Sequence, residues 1–307
     1  MEPLKNKYLI TVVGPTAIGK TALAIRIAQY FRTRVISSDS RQFYKEMSIG
    51  TAVPSLEELA AVPHDFIQHK SIFDEYSVGD FEREAIALLE QHFKNTDVVV
   101  MAGGSGLYVN AVLYGLDYFP DIDPAIRKKL NIRLEQEGLR DLASELQQLD
   151  PVYYKQVDAE NPHRVVRALE VCLGTGQPYS SFLSGTSRKR DFIPITIGLT
   201  ADRNMIYDRI NRRVDIMIRN GLLEEVRSLF PYREKNALQT VGYKELFRYM
   251  EEQCTLDSAI VEIKKNTRRF AKRQLTWFRK QEDINWFDCS DDTALILEYI
   301  SSQIHSK

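Results

Sequence analysis

Cysteine is scarce in this chain: three residues in 307, Cys172, Cys254 and Cys289, with no C-x-x-C pair among them. That excludes a disulfide framework and a zinc ribbon, and it suits a reducing compartment. The five histidines show no metal-ligand spacing and no serine or cysteine arrangement for a triad. No apolar run approaches the length of a membrane span, and Met1-Glu2-Pro3-Leu4-Lys5 lacks the apolar core of a secretion leader, so a cytoplasmic protein with no membrane partner is expected. Heptads, internal repeats and low-complexity tracts are also missing, which leads us to expect a monomer. Net charge is only −1, and that sum alone argues against a nucleic-acid binder.

The sum hides a segregation. From Lys264 to Lys280 there are eight Lys or Arg and no acid, while carboxylates collect at Glu57-Glu58, Glu224-Glu225 and Glu251-Glu252. Ile263, Phe270 and Trp277 recur every seven residues through the basic stretch, which predicts a helix with one buried stripe and charges around it. Such a run reads either as a solvated face or as a surface for a polyanion, and the missing acids favour the polyanion.

The most specific local signal is at the N-terminal end. The apolar run Tyr8–Val13 empties into Gly14-Pro15-Thr16-Ala17-Ile18-Gly19-Lys20-Thr21, a complete G-x-x-x-x-G-K-[ST] loop, and a helical pattern follows from Ala22 to Tyr30. Glycines let backbone N–H groups turn around phosphate oxygens, and the helix adds the partial positive charge of its N-terminus. Lys20 supplies an ammonium and Thr21 a hydroxyl able to ligate magnesium. The loop predicts a phosphate ester or diphosphate as ligand and leaves the compound open.

Further β-branched runs at Arg34–Ser37, Val98–Ala102, Ile193–Leu199 and Ile284–Phe287 alternate with helical patterns. They predict an α/β fold: a P-loop nucleoside-triphosphatase-like parallel sheet covered by helices. Between Phe119 and about Arg190 strand signals vanish and helices are predicted over 123–137, 138–149 and 161–173, with Pro120, Pro124, Pro151, Pro162 and Pro178 at turn or first-turn positions. We therefore expect a catalytic core of residues 1–118 plus 191–307 and a helical insertion of residues 119–190.

The second strand ends in Ser37-Ser38-Asp39-Ser40-Arg41-Gln42, placing Asp39 at the carboxyl edge of the sheet beside the phosphate loop. It is a candidate general base, and equally a candidate helix N-cap. The third strand runs into Gly103-Gly104-Ser105-Gly106, where an ATPase would carry a magnesium-binding acid. Its absence argues against a nucleotide hydrolase. The glycines suggest either close approach of a ligand or a tight strand-to-helix turn, with the Ser105 hydroxyl available to a substrate. Arg203, Arg209, Arg212 and Arg213 lie on a predicted helix after the fourth strand, from which one or two would reach a diphosphate.

Taken in order, the loop Gly14–Thr21, Ile36-Ser37-Ser38-Asp39-Ser40-Arg41-Gln42-Phe43-Tyr44, Ile49-Gly50-Thr51-Ala52, Ala102-Gly103-Gly104-Ser105-Gly106-Leu107-Tyr108, Arg164-Val165-Val166-Arg167-Ala168-Leu169-Glu170 and Thr267-Arg268-Arg269-Phe270-Ala271-Lys272-Arg273-Gln274-Leu275-Thr276-Trp277-Phe278-Arg279 closely resemble the bacterial tRNA dimethylallyltransferases. Matches run from about residue 8 to residue 287. The resemblance implies transfer of a dimethylallyl group from dimethylallyl diphosphate to N6 of the adenosine immediately 3′ of the anticodon, in tRNAs reading U-initial codons. It implies that Asp39 is the base for the adenine amine, and that Lys20, the loop from Gly14 to Thr21 and Mg2+ on Thr21 hold the diphosphate. Ser105 stands where the family usually has threonine beside the scissile bond. Arg213 best matches the family arginine at the diphosphate, with Arg209 one turn away as the other candidate. For the tRNA anticodon stem-loop, gripped between core and insertion, it implies contacts from Asp39, Ser40, Arg41, Gln42, Ser105, Arg127, His163, Arg164, Val165, Val166 and Arg167. The basic helix and Gln239-Thr240-Val241-Gly242-Tyr243-Lys244 would add backbone contacts.

Extracting the adenine from the loop stack costs a few kcal/mol, which aromatics normally offset. Trp277 and Phe278 are available either for that or for the core. Pro63-His64-Asp65 departs from the family pattern, in which many members carry a second histidine there. The chain also ends at Lys307 without the zinc-finger spacing of eukaryotic members, as expected for a bacterial form. Three other readings compete: an adenylate isopentenyltransferase acting on free nucleotides, a P-loop small-molecule kinase, and a non-enzymatic RNA-binding module. The strand end without an acid, the helical insertion and the basic helix count against the first two, and Lys20, Thr21 and Asp39 against the third.

Overall fold

Alternate residues of β1 (Tyr8–Val13) feed two different hydrophobic cores, which is why this strand reads as an apolar run broken only by Thr11. Leu9 and Val13 pack with Val99 and Met101 on one face, against Phe81, Ala85 and Leu89 of the helix Val78–His92. Tyr8, Ile10 and Val12 pack with Val98 and Val100 on the other, against Leu23, Ala24 and Ile27 of the helix Lys20–Tyr30. The computed structural model describes residues 6–183, 185 and 188–306. Met1–Lys5 and Lys307, on which the leader and zinc-finger expectations bear, lie outside the described residues.

The strands β2 (Val35–Ser37), β3 (His64–Asp65), β4 (Val98–Ala102), β5 (Ile193–Thr200) and β6 (Ile284–Asp288) join β1 in one sheet of order β3-β2-β4-β1-β5-β6. Every pairing is parallel. The carboxyl ends of β1, β2 and β4 therefore open on the same edge, and they carry the phosphate loop, Asp39 and Ser105. Five strands fall where the sequence predicts them. β3 was not expected: two residues are too short for a periodic signal, and the strand is held by pairing with β2 and by Asp65, which accepts from Arg34 Nε and Nη2 at 2.6 and 2.8 Å. The departure at His64-Asp65 thus falls at the sheet edge.

The chain divides into two compact units, Met1–Tyr114 with Lys189–Lys307, and Gly115–Arg188; the sequence places this division at 119 and 190. The second unit is helical, with helices Pro124–Gln136, Leu139–Leu149 and Pro162–Thr175 around Leu130, Leu142, Leu146, Val165 and Leu169. Two of its helix starts follow from capping. Asp123 accepts from Ala125 N–H ahead of Pro124, and Asn161 accepts from His163 and Arg164 N–H ahead of Pro162. Among the described residues, no helix is long and apolar enough to cross a membrane.

Candidate active site

At the end of β1 the backbone turns through Gly14 at φ 143°, where a Cβ would lie 2.6 Å from the Leu199 carbonyl oxygen. Only glycine fits there. The loop reaches the helix Lys20–Tyr30 through Ala17 and Gly19, both at positive φ, and the first N–H groups of that helix have no carbonyl one turn earlier to bond. Lys20 folds back over the loop, its Nζ donating to the Pro15 carbonyl at 2.8 Å. Burial pushes its pKa down to about 8; the Asp39 carboxylate opposes that shift and Arg213 adds to it. The Thr21 hydroxyl has no protein partner among the described residues.

Asp39 follows β2 in a turn: its Oδ1 accepts from Arg41 N–H at 3.2 Å and its carbonyl from Gln42 N–H at 3.0 Å. It therefore caps no helix, and its second carboxylate oxygen has no bond within the turn. Ser105 lies across from it at the end of β4, its Oγ 3.1 Å from both the N–H and the Oγ of Ser40. The two strand ends are pressed together. Ser38 N–H donates to the Ala102 carbonyl at 2.8 Å, and a Cβ on Gly103 would lie 2.2 Å from Ser38 Oγ and 2.5 Å from the Ser38 carbonyl carbon. The second contact is backbone and cannot swing away. We expect Gly103→Ala to cost about 1–3 kcal/mol in chemical denaturation, as overpacked sites do, and to lower turnover through displacement of Asp39 and Ser105; unchanged stability would place slack at this contact.

These groups open on a cavity of about 770 Å3 lined by Thr16, Asp39, Ser40, Arg41, Ser105 and Arg213, with Tyr108, Met217, Phe270 and Trp277 among its apolar walls. The Arg213 guanidinium is held below its ordinary pKa by burial, against the pull of Asp39 and Glu58. Arg209, the alternative arginine, is exposed and donates to the Ile18 carbonyl behind the loop at 3.0 Å. Gln42, expected to meet RNA, is not at the cavity. Its amide is spent on Ser37 Oγ and on the carbonyls of Thr51 and Ala52.

Two contributors carry no local sequence signal. Glu225 accepts from the N–H groups of Ser48, Ile49 and Gly50 at 3.0, 2.7 and 2.9 Å and from Tyr243 Oη at 2.7 Å, fixing the wall that runs on through Thr51 and Ala52. Burial and this carboxylate hold the Tyr243 hydroxyl protonated. Gln274, on the helix Leu256–Phe278, is buried between the phosphate loop and the Gly103-Gly104 turn.

The stripe predicted on that helix is corrected. Ile263 is buried, but Phe270 and Trp277 are each 38% exposed and face the cavity, while Ala271, Gln274 and Phe278 complete the buried line. Trp277 is thus available to a ligand, and Phe278 is core. On the basic face Lys264 pairs with Asp215 and Lys265 with Glu262, whereas Lys272, Arg273, Arg279 and Lys280 are exposed and form no ion pair among the described residues.

In the helical unit, Arg127 and Arg167 both bind one buried carboxylate, Glu170, with Arg127 making two bonds at 2.9 and 2.6 Å and Arg167 one at 2.7 Å. His163 and Arg164 are exposed beside them. Val165 and Val166, expected at the RNA, are 0% and 4% exposed in the core of this unit. Their side chains pack against Leu130, Leu142 and Leu146 and hold the helix in place.

The IPP transferase family model matches residues 42–281 of the chain. A tRNA dimethylallyltransferase of Christiangramia forsetii is 59% identical over 98% of this chain and all of its own length, and that of Flavobacterium johnsoniae is 55% identical over 98% and 99%. Among solved structures, the full-length tRNA isopentenylpyrophosphate transferase of Bacillus halodurans superposes with a TM-score of 0.73 at 36% identity, covering 98% of both chains. A eukaryotic dimethylallyltransferase described as acting on tRNA superposes at 0.81 and 26% identity, over 98% of this chain and 80% of its own.

Proposed function

Because the chain belongs to the IPP transferase family, we propose that it transfers a dimethylallyl group from dimethylallyl diphosphate to N6 of the adenosine immediately 3′ of the anticodon in tRNA. The observation that carries this reading is the meeting, in one cavity, of a phosphate loop with Asp39, Ser105 and Arg213 and no acid at the end of β4. The loop grips a diphosphate that leaves intact, with no water to orient. Catalysis is then stabilisation of charge on the leaving group as the allylic C–O bond breaks, by Lys20, the loop amides and Arg213. Asp39 takes the proton from the adenine amine as the new C–N bond forms, and Ser105 orients the reacting groups.

Magnesium fits this loop. It keeps most of its ligands as water and phosphate oxygens, so the free Thr21 hydroxyl with the diphosphate suffices, and it would supply further charge neutralisation. Among the described residues, no cluster of three or more His, Cys, Asp and Glu could hold a metal without the substrate. Exposed Lys272, Arg273, Arg279 and Lys280 of the core, and Arg164 of the helical unit with Arg127 and Arg167, which share Glu170, are the cations offered to the tRNA backbone beside the exposed His163 ring, which makes binding fall steeply with salt. We take the chain as a cytoplasmic monomer; a light-scattering mass of twice the chain's own would overturn the monomer.

The deciding assay incubates the protein with Mg2+, dimethylallyl diphosphate and an unmodified tRNA reading a U-initial codon, with AMP and ATP in parallel, followed by nucleoside mass spectrometry. N6-dimethylallyladenosine from tRNA alone is expected. Product on AMP or ATP would move the activity to free nucleotides, and none anywhere would return the kinase reading.

A further inference from the structure

The two loops that meet at the cavity are joined by a single side chain from a third, distant element. Gln274 is 6% exposed. Its Oε1 accepts from Thr16 N–H at 2.8 Å and its Nε2 donates to the Gly104 carbonyl at 2.9 Å. One planar amide therefore spans the phosphate loop after β1 and the turn after β4. The junction has no slack, since a Cβ on Gly104 would lie 2.2 Å from Gln274 Nε2. Under the prenyl-transfer reading, on which this inference rests, the first loop holds the diphosphate and the second carries Ser105, which is bonded to Ser40 next to Asp39. The amide thus sits between the half of the site that holds the electrophile and the half that presents the nucleophile.

We propose that Gln274 is a positioning residue that sets the spacing between these halves, and so the distance the allylic carbon must close on the adenine amine. Both ends of its amide are spent on the two loops, so it acts through them although it borders the cavity. Its contribution is rigidity: a bimolecular substitution loses about 10²-fold when its partners are misplaced by 1 Å.

The full-length protein can test this with two near-isosteric variants. Gln274→Glu keeps an acceptor for Thr16 but turns an oxygen toward the Gly104 carbonyl, breaking only the second half of the bridge. We expect kcat at saturating substrates to fall about 10²-fold, more than the dissociation constant for dimethylallyl diphosphate, measured without tRNA, rises through the added carboxylate. Gln274→Met removes both bonds, and should lower kcat by at least as much while donor affinity weakens less than kcat. Rates within about threefold of wild type in both variants would overturn the proposal. So would losses of kcat, donor affinity and melting temperature in step, which mark a residue needed only for folding. If the glutamate variant does not fold, the split between kcat and donor affinity in the methionine variant decides. A wild type that prenylates no tRNA would instead overturn the functional reading, and this proposal with it.

Discussion

Asp39→Asn is expected to lower kcat on tRNA by about 10²- to 10⁴-fold, the range typical of a lost general base, with tRNA affinity almost unchanged. Asparagine keeps the side-chain oxygen that accepts from Arg41 N–H, so the turn that carries residue 39 should persist. What disappears is the anionic oxygen that accepts a proton from an amine whose lone pair is delocalised into the adenine ring. The charge also acts at a distance, because Asp39 is the group that holds the Lys20 pKa up against burial. The variant should therefore move the pH dependence of donor binding downward as well as slowing turnover. Single-turnover rates with tRNA binding measured alongside provide the check, and a rate near wild type would remove Asp39 as the base.

Lys20→Met should lower kcat/KM for dimethylallyl diphosphate by about 10²- to 10³-fold, as loss of one preorganised charge at a leaving group does. The lysine also leaves a signature before any chemistry. With a pKa of about 8 in the free protein, it is charged below that pH and increasingly neutral above it. A bound diphosphate favours the ammonium, so binding near pH 8 should take up roughly half a proton, and affinity should decline as pH rises further. Titration calorimetry in buffers of different ionisation enthalpy reads this directly. The uptake should vanish in Lys20→Met, and uptake that survives the substitution would assign the titrating group elsewhere.

The parts of the site that the sequence makes legible are those whose partners are near in the chain. The phosphate loop is complete within eight residues, and Asp39 and Ser105 follow their strands directly. Gln274 and Glu225 are invisible to such reading because their backbone partners lie 170 or more residues away and those bonds exist only once the sheet has closed. The seven-residue spacing of Ile263, Phe270 and Trp277 misleads for a geometric reason. On a straight helix a heptad drifts by about 20° per repeat, so the line leaves the core and enters the cavity. Val165 and Val166 show the converse limit: a motif that contains an exposed cation, Arg164, also contains the residues that pack its helix. β3 is missed because an ion pair and two residues of pairing, with no periodic pattern, define it.

The strand order has a consequence for how the chain is made. β1 is central, bonded to β4 on one side and β5 on the other. A ribosome delivers β4 early, but must produce all of residues 115–188 before β5 begins at Ile193. At about 5–20 residues per second, the nascent half-sheet spends several seconds with the apolar edge of its central strand unpaired, the kind of edge that templates wrong pairings. Slow translation through the helical unit would lengthen that exposure, and yield in cells should be more sensitive to codon speed and chaperone supply there than anywhere after β5.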